Sequence, residues 1–190
     1  MYKKGGVMKQ VVLKTGEMLV LCNPTNDDAQ GCADHANAIM QETNFVLANM
    51  ASGLKTVEDE IKWFDSVKNS PRQTIVLAKL DEKIVGIGNV SGSSKNRIRH
   101  RCQIGISVQK AYWGKGIASK IMQELIDFAI SQEYEQMELE VVDGNTSAQN
   151  LYKKFGYVES GRVPNGMKYV DVDNSYADLI FMYKDLRKRN

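Results

Sequence analysis

Residues 108–118, VQKAYWGKGIA, restrict this chain most: a β-branched run gives way to Gly-x-Gly and then to a helical pattern. Ile117, Ile121, Leu125, Phe128 and Ala129 recur at helical spacing as far as residue 131, so the glycines stand at a helix N-terminus. Such an end has unpaired backbone N–H groups and a partial positive charge, and both attract phosphate. Gly114 and Gly116 have no Cβ, so the backbone there can approach a diphosphate closely. Ala118 keeps the first turn open, and Lys115 and Ser119 add a charge and a hydroxyl. Gly-x-Gly before a helix also serves plain tight turns, so the motif needs a partner before it means a ligand. Two nucleotide-binding patterns do not fit. The Walker loop is absent, and the dinucleotide fingerprint lacks its third glycine.

The rest of the chain reads as one mixed α/β domain. Residues 10–22 form an opening strand or pair of strands with a turn at Thr15-Gly16, and residues 26–41 are helical. Thr56 caps a clearer helix, with acids at Glu58, Asp59 and Glu60 in its first turn and Ile61, Phe64 and Val67 on one face. Runs at 74–80 and 84–90 around a polar turn predict a hairpin, followed by a loop at 91–96 and a longer strand over 98–108. A strand at 137–142, a helix from Asn145 to Phe155, a short strand after Gly156-Tyr157 and a last strand at 177–183 complete the order. The domain is expected over residues 10–186, with residues 1–9 as a flexible extension.

Composition narrows the partners. Lys and Arg number 25 against 23 Asp and Glu, with no long block of one sign, which argues against nucleic acid or an anionic membrane. Cys22, Cys32 and Cys102 lack any paired spacing, as in a reducing compartment. His35 and His100 lie far apart in sequence, so no metal is expected. Neither a signal-peptide segment nor a membrane span is read, and a cytoplasmic location is expected.

About thirty residues after the glycine turn comes 145–157, NTSAQNLYKKFGY. Together the two stretches resemble the GNAT superfamily of N-acetyltransferases, in the right order. Residues 113–118 match that family's Arg/Gln-x-x-Gly-x-Gly/Ala pyrophosphate loop, and 145–157 match its Asn-x-x-Ala-x-x-Leu-Tyr-x-Lys-x-Gly-Phe/Tyr helix and turn. The resemblance implies a single-domain α/β fold with a mixed sheet of six to seven strands and about four helices. It implies acetyl-CoA as cosubstrate and a primary amine, on a small molecule, polyamine or peptide, as acceptor. A homodimer is a further expectation from relatives. There are two departures. Trp113 stands where the family carries Arg or Gln, leaving the charge at the diphosphate to Lys115. Gln103 stands where many relatives place a Glu that serves as base or orients one.

The chemistry needs a neutral amine, a stabilised oxyanion and a proton for the departing thiolate. An alkyl ammonium of pKa near 10.4 costs roughly 4.6 kcal/mol to deprotonate at pH 7. A desolvated site or a water chain lowers that cost without a dedicated base. The resemblance makes Tyr152 the general acid. It follows Asn145 by almost two turns, so both project from nearly one face, roughly 10 Å apart. Asn145 caps its helix and, by resemblance, bonds the pantetheine arm or the phosphates. Ile106, Ser107 and Val108 would offer backbone groups to pantetheine, and Trp113, Gly114, Lys115, Gly116, Ile117, Ala118, Ser119 and Asn150 complete the cofactor set. On the acceptor side stand Glu42, Asn44 and Phe45, in a segment that closes over the acceptor in relatives, with Gln103 and Glu140. Glu138 and Glu140 share a strand face and are candidate bases; Asp171, Asp173 and Asp178 are candidates to favour a cationic amine. A different class remains open, a non-catalytic acyl-CoA-binding sensor or scaffold, and Gln103 is the feature that keeps it so. A purely structural interaction domain is the third reading.

Overall fold

The structure, a computed structural model, describes residues 6–46, 53–170 and 172–187. In chain order its elements are β1 (Gly6–Val12), β2 (Met18–Asn23), α1 (Ala29–Glu42), α2 (Val57–Lys68), β3 (Gln73–Leu80), β4 (Lys83–Gly92), β5 (Arg101–Val108), α3 (Ile117–Ser131), β6 (Gln136–Val142), α4 (Thr146–Lys154), β7 (Val158–Lys168) and β8 (Tyr176–Asp185). The strands make one mixed sheet in the order β1-β2-β3-β4-β5-β6-β8-β7, eight where six to seven were expected. The residues read as one or two opening strands form a β1–β2 hairpin that starts at Gly6, so residues 6–9 of the expected extension lie in the sheet. β5 begins at Arg101, after a 3-10 turn at Asn96–Ile98, and β7 is longer than its sequence suggests.

Local chemistry explains the punctuation. Thr56 and Asp59 form a reciprocal capping box on α2. Asp81 and Glu82, both at positive φ, make the two-residue turn between β3 and β4, the geometry that matches strand twist. On β3, Ile75 and Leu77 face α1 and α2, whereas Val76, Ala78 and Leu80 join the cluster under α3 and α4. α3 lies directly on β4: a Cβ added to Gly88 would come within 2.3 Å of Ile121. One expectation for α2 changes. Glu60, read as an acid for the helix dipole, is buried beside Phe64 and Val67, while Ile61 is half-buried.

The feature that creates a site is a fork in the sheet. β4 pairs with β5 along residues 102–108, but β5 meets β6 only at Arg101–Gln136, Cys102–Met137 and Gln103–Glu138. β6 pairs with β8 along its whole length, but beyond those three parallel pairs it parts from β5, and one edge of β5 is left without a strand partner among the described residues.

Candidate active site

Between the diverging strands lies a cleft of about 700 Å³, a volume suited to a cofactor-sized ligand. Ile104, Gly105, Ile106, Ser107 and Val108 line one wall, and Glu140 and Val141 the other. An unpaired strand edge needs hydrogen-bond partners, and an extended chain carrying amides supplies them in the manner of an added strand.

The N-terminus of α3 points into the same cleft. Gly116 is its N-cap in the left-handed region, φ 83°, and Gly114 is also left-handed at φ 78°. No side chain caps this helix, so the first-turn amides near Ile117, Ala118 and Ser119, all lining residues, are free for an anion. A Cβ built on Gly114 or Gly116 meets nothing within 4 Å, so the space before the turn is open. Trp113 lines the cleft and donates its indole N–H to the Val108 carbonyl at 2.6 Å. The Lys115 expectation is corrected. Its ammonium is held by both carboxylate oxygens of Glu17, at 2.7 and 2.8 Å, and it does not line the cleft. An acid on the β1–β2 turn, 98 residues away in sequence, has captured it. Among the described residues the cation that does line the cleft is Lys154, on the last turn of α4.

α4 contributes a second helix start. Asn145 caps it, accepting from the Ala148 N–H at 3.2 Å, and Thr146, Ser147 and Asn150 line the wall with it. Two helix N-termini therefore converge on one cleft, and their dipoles add. Tyr152 is 8 % exposed, yet lines the cleft. Burial pushes its phenol up to about 12, which keeps it protonated at neutral pH. Its ring packs against Tyr157 at 5.9 Å between centroids.

On the α1–α2 face of β5 lies a second cavity of about 590 Å³, which shares Ile39, Val46, Gly105, Ile106 and Ser107 with the cleft. Here the structure brings in residues that sequence reasoning missed. His35 of α1, read only as a histidine without metal-ligand spacing, is 1 % exposed and joins Ser107 Oγ through Nε2 at 2.8 Å. Burial lowers its pKa to about 4, so the imidazole is neutral; Nδ1 has no well-formed partner, the Ile84 backbone being a weak influence nearby. Glu60, Trp63 and Asn89 line the same cavity. A contact between residues 72 apart leaves no local signal in the sequence.

The remaining candidates disperse. Gln103 sits at the closed end of the fork, lining small cavities with Arg101 and Glu138 and not the cleft, because the β5–β6 pairing has not yet opened there. Glu138 is committed to an ion pair with Arg101. Glu140 lines the cleft, and Phe45 faces it near Gly144. Glu42 accepts from the Lys110 N–H at 2.7 Å and thereby fastens the end of α1 to the chain after β5. Asn44 is exposed and lines none of these cavities. Asp178 is taken by Arg162 and by the Asn165 N–H, and Asp173 by the Ser175 N–H; Asp171 lies outside the described residues. Among the described residues no three of His, Cys, Asp or Glu converge as metal ligands, and no helix is long and apolar enough to cross a membrane.

With this geometry in hand, comparison with known proteins is informative. Residues 41–157 match the Acetyltransferase (GNAT) family. The chain is 27% identical over 121 residues to the L-amino acid N-acetyltransferase AaaT of Escherichia coli, covering 63% of this chain and 73% of that protein. It is 25% identical over 162 residues to an L-methionine sulfoximine/L-methionine sulfone acetyltransferase of Pseudomonas aeruginosa, covering 84% of each. Among solved structures, an acetyltransferase of the GNAT family from Streptococcus pneumoniae superposes with a TM-score of 0.82 at 28% identity, over 89% of this chain and 99% of that one. For yncA of Salmonella typhimurium, solved with its cofactor acetyl-CoA, the TM-score is 0.79 at 17% identity, over 90% and 95% of the two chains.

Proposed function

The chain belongs to the GNAT acetyltransferase family, and from that premise we propose that it transfers the acetyl group of acetyl-CoA directly to a primary amine, with Tyr152 as the proton donor to the departing thiolate. The observation that carries this reading is the convergence of an uncapped helix start, an unpaired strand edge and a buried phenol on one cleft. The donor set fits the cosubstrate. Main-chain N–H groups of α3 and the ammonium of Lys154 suit a diphosphate, and the edge of β5 suits the amides of pantetheine.

The reaction then follows from the residues present. The neutral amine attacks the thioester carbon, a C–N bond forms and the C–S bond breaks. A backbone N–H on the 104–108 edge stabilises the oxyanion. The phenol of Tyr152, at about 12, lies some 3.5 units above a typical thiol near 8.5, so outright proton loss to the thiolate is uphill by roughly 5 kcal/mol. It therefore donates a hydrogen bond to the sulfur and releases its proton as it regains one from the acetylated nitrogen. The acceptor's own proton leaves by desolvation, through water or to Glu140, the candidate base that lines the cleft; Gln103 stands away from it and its amide is no base.

The free, buried thiols of Cys22, Cys32 and Cys102 support a cytoplasmic setting. The outer strand β7, with Val158 and Val163 exposed, supports a homodimer, which light scattering tests. The test of the reaction is thiol release from acetyl-CoA over an amine panel, wild type against Tyr152→Phe. A loss of about a hundredfold in turnover is expected, the usual worth of a positioned proton donor. Equal rates remove the acid. Thermal stabilisation by coenzyme A with no turnover on any amine supports the sensor or scaffold instead.

A further inference from the structure

Glu60 takes no part in the chemistry above, yet it is an unusual carboxylate. It is 5 % exposed, its Oε2 has no hydrogen-bond partner among the described residues, and it lines the cavity on the α1–α2 face of β5. An acid taken out of water without a partner is costly, so such a group is kept neutral or is met by a cation. Burial is the main influence raising its pKa; the positive charge of Lys55 opposes that and the charge of Asp59 adds to it. Trp63 follows Glu60 by three residues on the same helix, is half-buried and lines the same cavity. An indole face beside a carboxylate is a setting that holds an ammonium.

The rest of the cavity narrows the guest. Ile39, Met40, Ile87 and Ile106 give it apolar walls suited to methylene groups. Asp59 adds charge but has one oxygen committed to the Thr56 N–H. Among the described residues lining the cavity the one cation is Lys55, an exposed residue at its rim, whose main chain is tied to Asn37 at 2.8 and 3.1 Å. A carboxylate on the acceptor would therefore find its partner at the mouth, whereas a second ammonium finds one in the interior.

We propose that the acceptor is a diamine: one ammonium rests against Glu60 and Trp63, and the other amine, neutral, reaches the thioester beside Ile106 and Ser107. The proposal rests on the acetyl-transfer reading and specifies its acceptor. The methylene chain crosses the apolar walls, and Ser107, held by His35, stands where cavity and cleft meet.

The test compares 1,4-diaminobutane, butylamine and L-methionine as acceptors, by thiol release and by calorimetry on the protein saturated with coenzyme A. The expected kcat/KM for the diamine exceeds that for butylamine by about tenfold or more, the worth of one charge-assisted contact. In Glu60→Gln, an isosteric change, that ratio falls towards one through KM, and diamine binding by calorimetry weakens by a similar factor. Trp63→Leu reduces the ratio by a smaller factor. Equal wild-type rates for diamine and monoamine overturn the proposal. So does a ratio that survives Glu60→Gln, or a preference for L-methionine that Lys55→Ala abolishes. If no amine is turned over, the acetyl-transfer reading fails, and the calorimetry still decides whether the cavity holds a diamine.

Discussion

The cleft beside β6 meets its ligand mainly with main chain, from the start of α3 and the open edge of β5, whereas the cavity under α1 and α2 presents side chains, Glu60, Trp63 and the His35–Ser107 pair. The difference separates two jobs. On the proposed reading, a main-chain site recognises what every reaction cycle shares, and Trp113 at the head of the loop is expected to cost little because amides rather than a side chain would hold the diphosphate. A side-chain site can be retuned one residue at a time, and on the proposed reading that suits the acceptor, the part of the reaction that varies between relatives.

The sharpest way to break this contrast is to put a side chain where the first site needs none. Gly116→Val forces a β-branched residue to φ 83° and fills the open space before α3. Coenzyme A affinity by calorimetry is expected to fall about a hundredfold, the scale of one or two lost charge-assisted hydrogen bonds. An affinity within twofold of wild type would show that the helix start is not the anion site.

The second region is tested by acid. His35 has a folded pKa of about 4 against an ordinary 6.5, so the unfolded chain binds the extra proton between those values. Stability from this residue is complete above about 6.5 and drains as pH falls towards 4, by roughly 2 kcal/mol at pH 5. Glu60 has the opposite sign: its raised pKa stabilises the fold below the ordinary 4.5, and that contribution is lost as pH rises through the folded value. Urea midpoints for His35→Gln should lose the decline between pH 6.5 and 5; an unchanged decline would place its origin elsewhere.

The smallest effect sharpens the comparison within the cleft itself. Lys154→Ala is expected to weaken coenzyme A about threefold to tenfold, the scale of one partly exposed charge contact, and Lys115→Ala less than threefold, since its ammonium is held by Glu17 and does not line the cleft. The reverse order would return the diphosphate charge to Lys115.

What the sequence displayed follows the same division. The glycine turn, the Asn145 cap, the Thr56 capping box and the β3–β4 hairpin were all readable, because each depends on residues within a few positions of one another. The β1–β2 hairpin was half-readable: the turn at Thr15-Gly16 stood out, while the start at Gly6 depends on pairing with Asn23. The fate of Lys115 was hidden, because Glu17 meets it only once the sheet is assembled. Glu60 was misread for the same reason. An acid in a helix's first turns looks like a dipole partner until a second helix covers it. The gap that excludes Gln103 from the cleft depends on where two parallel strands part, which no spacing along the chain encodes.

That parting also has a mechanical meaning. Strands β1 to β5 and strands β6 to β8 form two plates, riveted within the sheet by three residue pairs at one end. A chain of amides laid along the open edge acts as a splint between them. On the proposed reading of that edge, loading the cosubstrate is expected to slow amide hydrogen exchange in both plates, and its release to restore it.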